Sequence, residues 1–120
     1  MDFEKLLLEV QANRAGWLVA KPPVLQGISG VTHKFSFLAS KWNVNQAFDI
    51  YDSVTDIEVL KSFLKKIDTG ASVDVICAKG RCSSAAESLA LEYNIRILKA
   101  EDPIIMIESV LMKVPSPVPA

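Results

Sequence analysis

Apolar residues recur with helical spacing from the start of the chain. Phe3, Leu6, Leu7 and Val10 follow the i, i+3, i+4, i+7 rule, and Asp2 stands where a helix cap belongs. The pattern predicts an opening helix with those four side chains buried, Glu4 and Glu9 on its flanks, and Gly16 as its terminator. Between 17 and 30, Pro22, Pro23, Gly27 and Gly30 exclude a helix, so the stretch reads as a short extended piece at 16–20 followed by a loop. Strict alternation then takes over. Over 31–39 it places Val31, His33, Phe35, Phe37 and Ala39 on one face and Thr32, Lys34, Ser36 and Leu38 on the other. A polar turn at 41–45, with Trp42 over the edge, leads to a return strand at 46–52. Phe48 and Ile50 point one way along it; Ala47, Asp49 and Tyr51 point the other.

Helical spacing returns after Thr55. Thr55-Asp56-Ile57-Glu58 is a capping box, and it opens a helix whose predicted buried stripe is Ile57, Leu60, Leu64 and Ile67, with Lys61, Lys65 and Lys66 outside. Asp68-Thr69-Gly70 ends it. SVDVICA at 72–78 is a strand buried on both sides, and Lys79-Gly80-Arg81 turns the chain. Ser84-Ala85-Ala86-Glu87 reads as a second capping box, before a helix with Ala86, Leu89, Ala90 and Tyr93 inward and Asn94 as its stop. A parallel strand at 95–98 precedes Asp102-Pro103, a cap plus first-turn proline for a last helix with Ile104, Ile107, Val110 and Leu111 inward. The expected architecture is α/β: a mixed sheet from an antiparallel hairpin plus two parallel strands, with helices on both faces. One domain spans 1–113, and a proline-rich tail, expected to be extended, occupies 114–120.

Composition narrows the function classes. The chain has 120 residues, half of them apolar and 22% charged, which suits one folded domain rather than a disordered segment. No apolar run approaches the roughly 18 residues a membrane span needs. The acidic, amphipathic start is neither a signal nor a transit peptide, so a cytoplasmic protein without a membrane partner is expected. The net charge of −1 lacks the basic excess of domains that grip nucleic acid through phosphates. Cys77 and Cys82 form a C-x4-C pair with no second pair and one distant histidine, a poor zinc site, so two reduced thiols are expected.

Several residues could carry chemistry. His33, the single histidine, reads as a hydrogen-bonded, semi-buried strand residue before it reads as a ligand or base. Asp49 is a candidate metal ligand or an ordinary strand acid, and Glu9 a second ligand or a helix-surface acid. Ser29 in GISG lacks the strand–turn–helix context of a nucleophile elbow, and Gly27 and Gly30 serve the turn. Lys79, Gly80 and Arg81, just ahead of a helix start at Ser84, form an anion-binding candidate. Lys61, Lys65 and Lys66 are the cluster dense enough for phosphate contacts. Trp17 and Trp42 are expected to cover the core or an interface.

Three passages, the glycine-rich turn GISGVTHKF into a hairpin strand, the return strand AFDIY, and DVICAKGRCSSAAESLALEYNIRIL, together resemble the restriction-endonuclease-like family, in its Mrr-type and Holliday-junction-resolvase-type branches. The resemblance implies a three-layer fold and a Mg²⁺-dependent endonuclease site. That site needs a carboxylate on the first hairpin strand and an acid two residues before a lysine on the second, with a helix glutamate completing the metal shell. In this sequence Ser36 or a neighbour stands where the first carboxylate is wanted, Asp49 is in place, and Tyr51 replaces the lysine. The implied function is a domain with a degenerate active site and no cofactor, binding DNA, a protein partner or a second copy of itself. Two alternatives stay open. One is an active Mg²⁺-dependent nuclease using Asp49 and Glu9 on the metal, with Lys34 or His33. The other is an unrelated small α/β domain that binds a ligand or dimerises.

Overall fold

The computed structural model describes residues 3–113, so the 114–120 tail lies outside the described residues. The elements are α1 (Phe3–Arg14), β1 (Leu18–Val19), β2 (Val24–Gln26), β3 (Thr32–Lys34), β4 (Phe37–Lys41), β5 (Val44–Val54), α2 (Asp56–Thr69), β6 (Ser72–Cys82), α3 (Ser84–Tyr93), β7 (Arg96–Lys99) and α4 (Pro103–Lys113). The main sheet runs β1-β4-β5-β6-β7, with β2 and β3 forming a separate two-stranded ribbon. Strands β4 and β5 pair antiparallel, while β5, β6 and β7 are parallel, so the sheet is mixed.

Side-chain alternation along the strands divides the interior. Phe37, Ala39, Phe48 and Ile76 meet Leu8 and Ala12 of α1 and Ile107 and Leu111 of α4 on one face. Val75 and Cys77 meet Val59 of α2 and Ala86 and Ala90 of α3 on the other, where the alanines let the helix approach the sheet closely. The ribbon extends that second layer, packing Phe35 and Leu25 over Leu38, Ala47 and Val73. Each fully buried Phe or Leu contributes about 1.5–3 kcal/mol. Trp17 is a core residue, its Nε1 donating to the Leu111 carbonyl at 3.2 Å.

The hairpin is shorter and its surroundings richer than the alternation at 31–39 predicts. The run is broken: Phe35 N–H donates to Pro23 O (2.8 Å) in the ribbon, and the next amide, Ser36 N–H, donates to Phe48 O (2.9 Å) in the main sheet. The chain changes sheets between two consecutive residues, so His33 and Lys34 belong to the ribbon and Phe37 onward to the hairpin. The expected loop before Gly27 therefore contains a strand, Val24–Gln26, paired with Thr32–Lys34. The hairpin turn is two residues, Trp42 and Asn43, both at positive φ (51° and 65°), rather than the broader turn expected at 41–45. Lys79-Gly80-Arg81 does not turn the chain either. It is a bulge within β6, between the Tyr51–Cys77 and Ser53–Arg81 pairs.

Two helices face the opposite way from their predicted stripes. In α1, Leu8 and Ala12 are buried, whereas Phe3, Leu6, Leu7 and Val10 are exposed. In α2, Val59 and Ser62 are buried, and Ile57, Leu60, Leu64 and Ile67 are exposed. The physical reason in α2 is a carboxylate beneath it: Asp49 is only 3% exposed, and a buried charge must be paired. The Ser62/Lys65 side of the helix carries the hydroxyl and ammonium that can do so. The caps hold as read for α2, where the Glu58 carboxylate accepts from Thr55 N–H (2.8 Å) and Thr55 O–H (2.7 Å). They hold for α4 as well, where Asp102 accepts from Ile104 N–H (3.1 Å). In α3 the cap is Ser83, one residue earlier than Ser84, accepting from Ala86 N–H at 3.1 Å.

Candidate functional site

Return strand β5 alternates faces, and that alternation disperses the residues a nuclease site would gather. Asp49 and Tyr51 point to the α2/α3 side. Asp49 Oδ2 accepts from Ser62 Oγ (2.6 Å), and Asp49 Oδ1 accepts from Lys65 Nζ (3.0 Å). Lys65 also donates to the Lys34 carbonyl (2.8 Å) and lies 5.1 Å from the centre of the Phe35 ring. Tyr51 completes the group, its hydroxyl 3.4 Å from Ser62 Oγ, and burial above all pushes its pKa up. Lys65, from the helix above β5, is thus the partner that neutralises the acid.

Glu9 lies on the other side of the sheet. It projects from α1 into a cleft lined by Lys5, Lys21, Pro22, Ser36 and Phe37, and forms an ion pair with Lys21. Ser36 also borders this cleft, and its Oγ accepts from Ile50 N–H at 3.0 Å. The sheet therefore separates Glu9 and Ser36 from Asp49 and Tyr51. A shared Mg²⁺ shell built from Asp49 and Glu9 does not fit this arrangement. Among the described residues no group of three His, Cys, Asp or Glu side chains is placed to hold a metal.

His33 and Lys34 sit apart from Asp49 in the ribbon. His33 Nε2 lies 2.6 Å from Asp68 Oδ2 at the end of α2, the hydrogen-bonded, semi-buried placement expected for it. Asp68 is the hub of the GISG turn. It accepts from Ser29 Oγ (2.6 Å) and Ser29 N–H (2.9 Å), and the Ser29 hydrogen bond, followed by that of His33, holds its carboxyl down to about 2. Gly27 is needed for close approach, because a Cβ there would lie 1.9 Å from Asp68 Oδ2. Gly30 adopts φ +89°, a conformation glycine favours. The sequence carries one signal for Asp68, its place in the polar cluster Asp68-Thr69-Gly70 that ends the helix, and that signal does not reveal its bonds to Ser29 and His33.

The anion-binding candidates are partly assembled. Lys79, Gly80 and Arg81 border a cleft with Lys99 and Glu101 at the carboxyl ends of β6 and β7. Lys99 is drawn to Glu87 (3.0 Å), and that bond raises its pKa. Ser84 is the first residue of α3. Of the α2 lysines, Lys65 is committed to Asp49 and Lys66 to the Asn94 carbonyl (3.0 Å), while Lys61 is exposed. Cys77 is buried and Cys82 half-buried, both as free thiols, and burial pushes the Cys82 thiol up.

No family model matches the chain, and no curated protein sequence matches it. Among solved structures it is similar to the crystal structure of AF1548, a protein of unknown function, with a TM-score of 0.59 and 9% identity. That match covers 92% of this chain and 70% of the other. The likeness is one of fold. No helix of the described residues is long and apolar enough to cross a membrane.

Proposed function

We propose that this chain is a restriction-endonuclease-like domain, of three-layer architecture, that has kept the scaffold and lost the chemistry, and that it works as an assembly module for a protein partner. The observation that carries the reading is the bonding of Asp49. A metal ligand must offer its carboxylate to the site together with a second acid, and both Asp49 oxygens are engaged by Ser62 and Lys65 on the face away from Glu9. Phe48 and Ile50, the β5 neighbours directed to the Glu9 side, are apolar. Two further observations favour a protein partner over nucleic acid. Lys65 and Lys66 bind groups of their own domain, while α1 and α2 both turn apolar faces outward.

A nucleic-acid role has one observation of its own, the gathering of Lys79, Arg81 and Lys99 at the strand ends. Incubation with supercoiled and branched DNA, with Mg²⁺ or Mn²⁺, separates the readings. The proposal expects no cleavage and no salt-sensitive binding. Salt-sensitive binding lost in Arg81→Glu would move the function to nucleic acid. Cleavage lost in Asp49→Ala would restore the nuclease.

A further inference from the structure

The outward side of α2 has the spacing of a helix–helix seam. Ile57, Leu60, Leu64 and Ile67 are 58, 42, 49 and 54% exposed and follow one another at intervals of three, four and three residues. Those intervals are the a and d positions of two heptads. In that frame Asp56 falls at g and Lys61 at e, and both side chains are exposed. The helix is rigidly presented: capped by Thr55 and Glu58, closed by Gly70 at φ +74°, and held from beneath by the Lys65–Asp49 pair.

We propose that α2 is a self-association surface on which a second copy of this chain docks its own α2 in parallel, about a two-fold axis running along the helices. The charges choose both the occupant and its direction. In a parallel pair, a g residue of one helix faces the e residue five positions on in the other, so Asp56 of each copy meets Lys61 of the other, twice by symmetry. In an antiparallel pair centred on the same seam, the two Lys61 side chains come together near the axis and repel. The flanks agree with the parallel arrangement. The ribbon lies along one side of α2, joined through His33–Asp68, and α3 lies along the other, where Phe63 stacks on Tyr93 at 4.2 Å. A two-fold along α2 sets the ribbon of one copy, with exposed Ile28 and Val31, opposite α3 of the other, with exposed Leu91. This extends the apolar contact beyond a seam of two short helices, toward the roughly 800 Å² per partner that stable interfaces bury.

The inference rests on the assembly reading above and has its own test. Sedimentation equilibrium of the full chain is expected to show a dimer. Asp56→Lys and Lys61→Asp are each expected to weaken it by about tenfold or more, because each replaces two attractions with two repulsions. An equimolar mixture of the two variants is expected to regain the dimer, since opposite charges then face each other again. Leu64→Lys should abolish it, with unchanged circular dichroism verifying the fold of every variant. A monomeric wild type overturns the inference, as does a dimer indifferent to Leu64→Lys, or a variant mixture no tighter than its components. A monomer that also cleaves no DNA would sink self-pairing alone and leave the non-catalytic scaffold standing. Metal-dependent cleavage by a dimer would do the reverse.

Discussion

Asp49 and Lys65 illustrate how one buried acid fixes its surroundings. The carboxylate is buried, whereas the lysine side chain keeps 22% exposure and reaches the surface at its edge. Removing the lysine strands the acid, so Lys65→Met is expected to cost about 3 kcal/mol, read by urea denaturation. Asp68 gives a second residue-level prediction. Its folded-state pKa, about 2, lies below the 3.8 usual for an aspartate carboxyl. A depressed carboxyl contributes stability that is present above its unfolded pKa and is lost as pH falls through its folded one. That contribution should therefore fade between about pH 4 and pH 2, and Asp68→Asn should remove that part of the acid dependence. Gly27→Ala forces a methyl group against a carboxylate already tied to Ser29 and His33, and should destabilise the fold by about 1–3 kcal/mol. The role of His33 was legible, because a histidine on a strand among aromatics needs a polar partner. The pairing of Asp49 with Lys65 was not, because the two stand 16 residues apart and the helical period of α2 placed Lys65 outside.

At the scale of elements, helix caps and stops were the most readable features. Thr55, Asp102, Asn94 and Gly70 act locally, through side chains or backbone conformations that a few neighbouring residues specify. Helix orientation was harder to read. An apolar stripe shows that a helix is amphipathic, but the partner of that stripe need not be its own sheet. In α2 the small, polar-containing side meets the sheet because Asp49 lies there. Val59→Ala is accordingly expected to cost about 1–3 kcal/mol, while Leu64→Lys should leave monomer stability within about 0.5 kcal/mol, both by thermal or urea unfolding. The run at 31–39 hid its break for a related reason. Alternation continues smoothly through Phe35 and Ser36, and a period of two cannot register that their amides bond in different sheets.

For the whole molecule, the order of elements sufficed to place an antiparallel hairpin before two crossovers and to predict a mixed sheet clothed by helices. The added ribbon escaped because a three-residue strand flanked by Pro23 and Gly27 looks like loop. The dispersal of the site follows from the same sheet: β5 sends Asp49 to one layer, and α1 brings Glu9 to the other. In this account Asp49 is a structural residue of an assembly domain, where a nuclease would use it as a metal ligand. The two roles respond oppositely to one measurement, thermal unfolding of the wild type and Asp49→Asn with and without MgCl₂. A structural Asp49 predicts no shift with Mg²⁺ in either protein and a clearly lower Tm in the variant, because Ser62 and Lys65 lose their charged partner. A Mg²⁺-dependent rise in the wild-type Tm that Asp49→Asn abolishes, with no loss of stability in the metal-free variant, would contradict it.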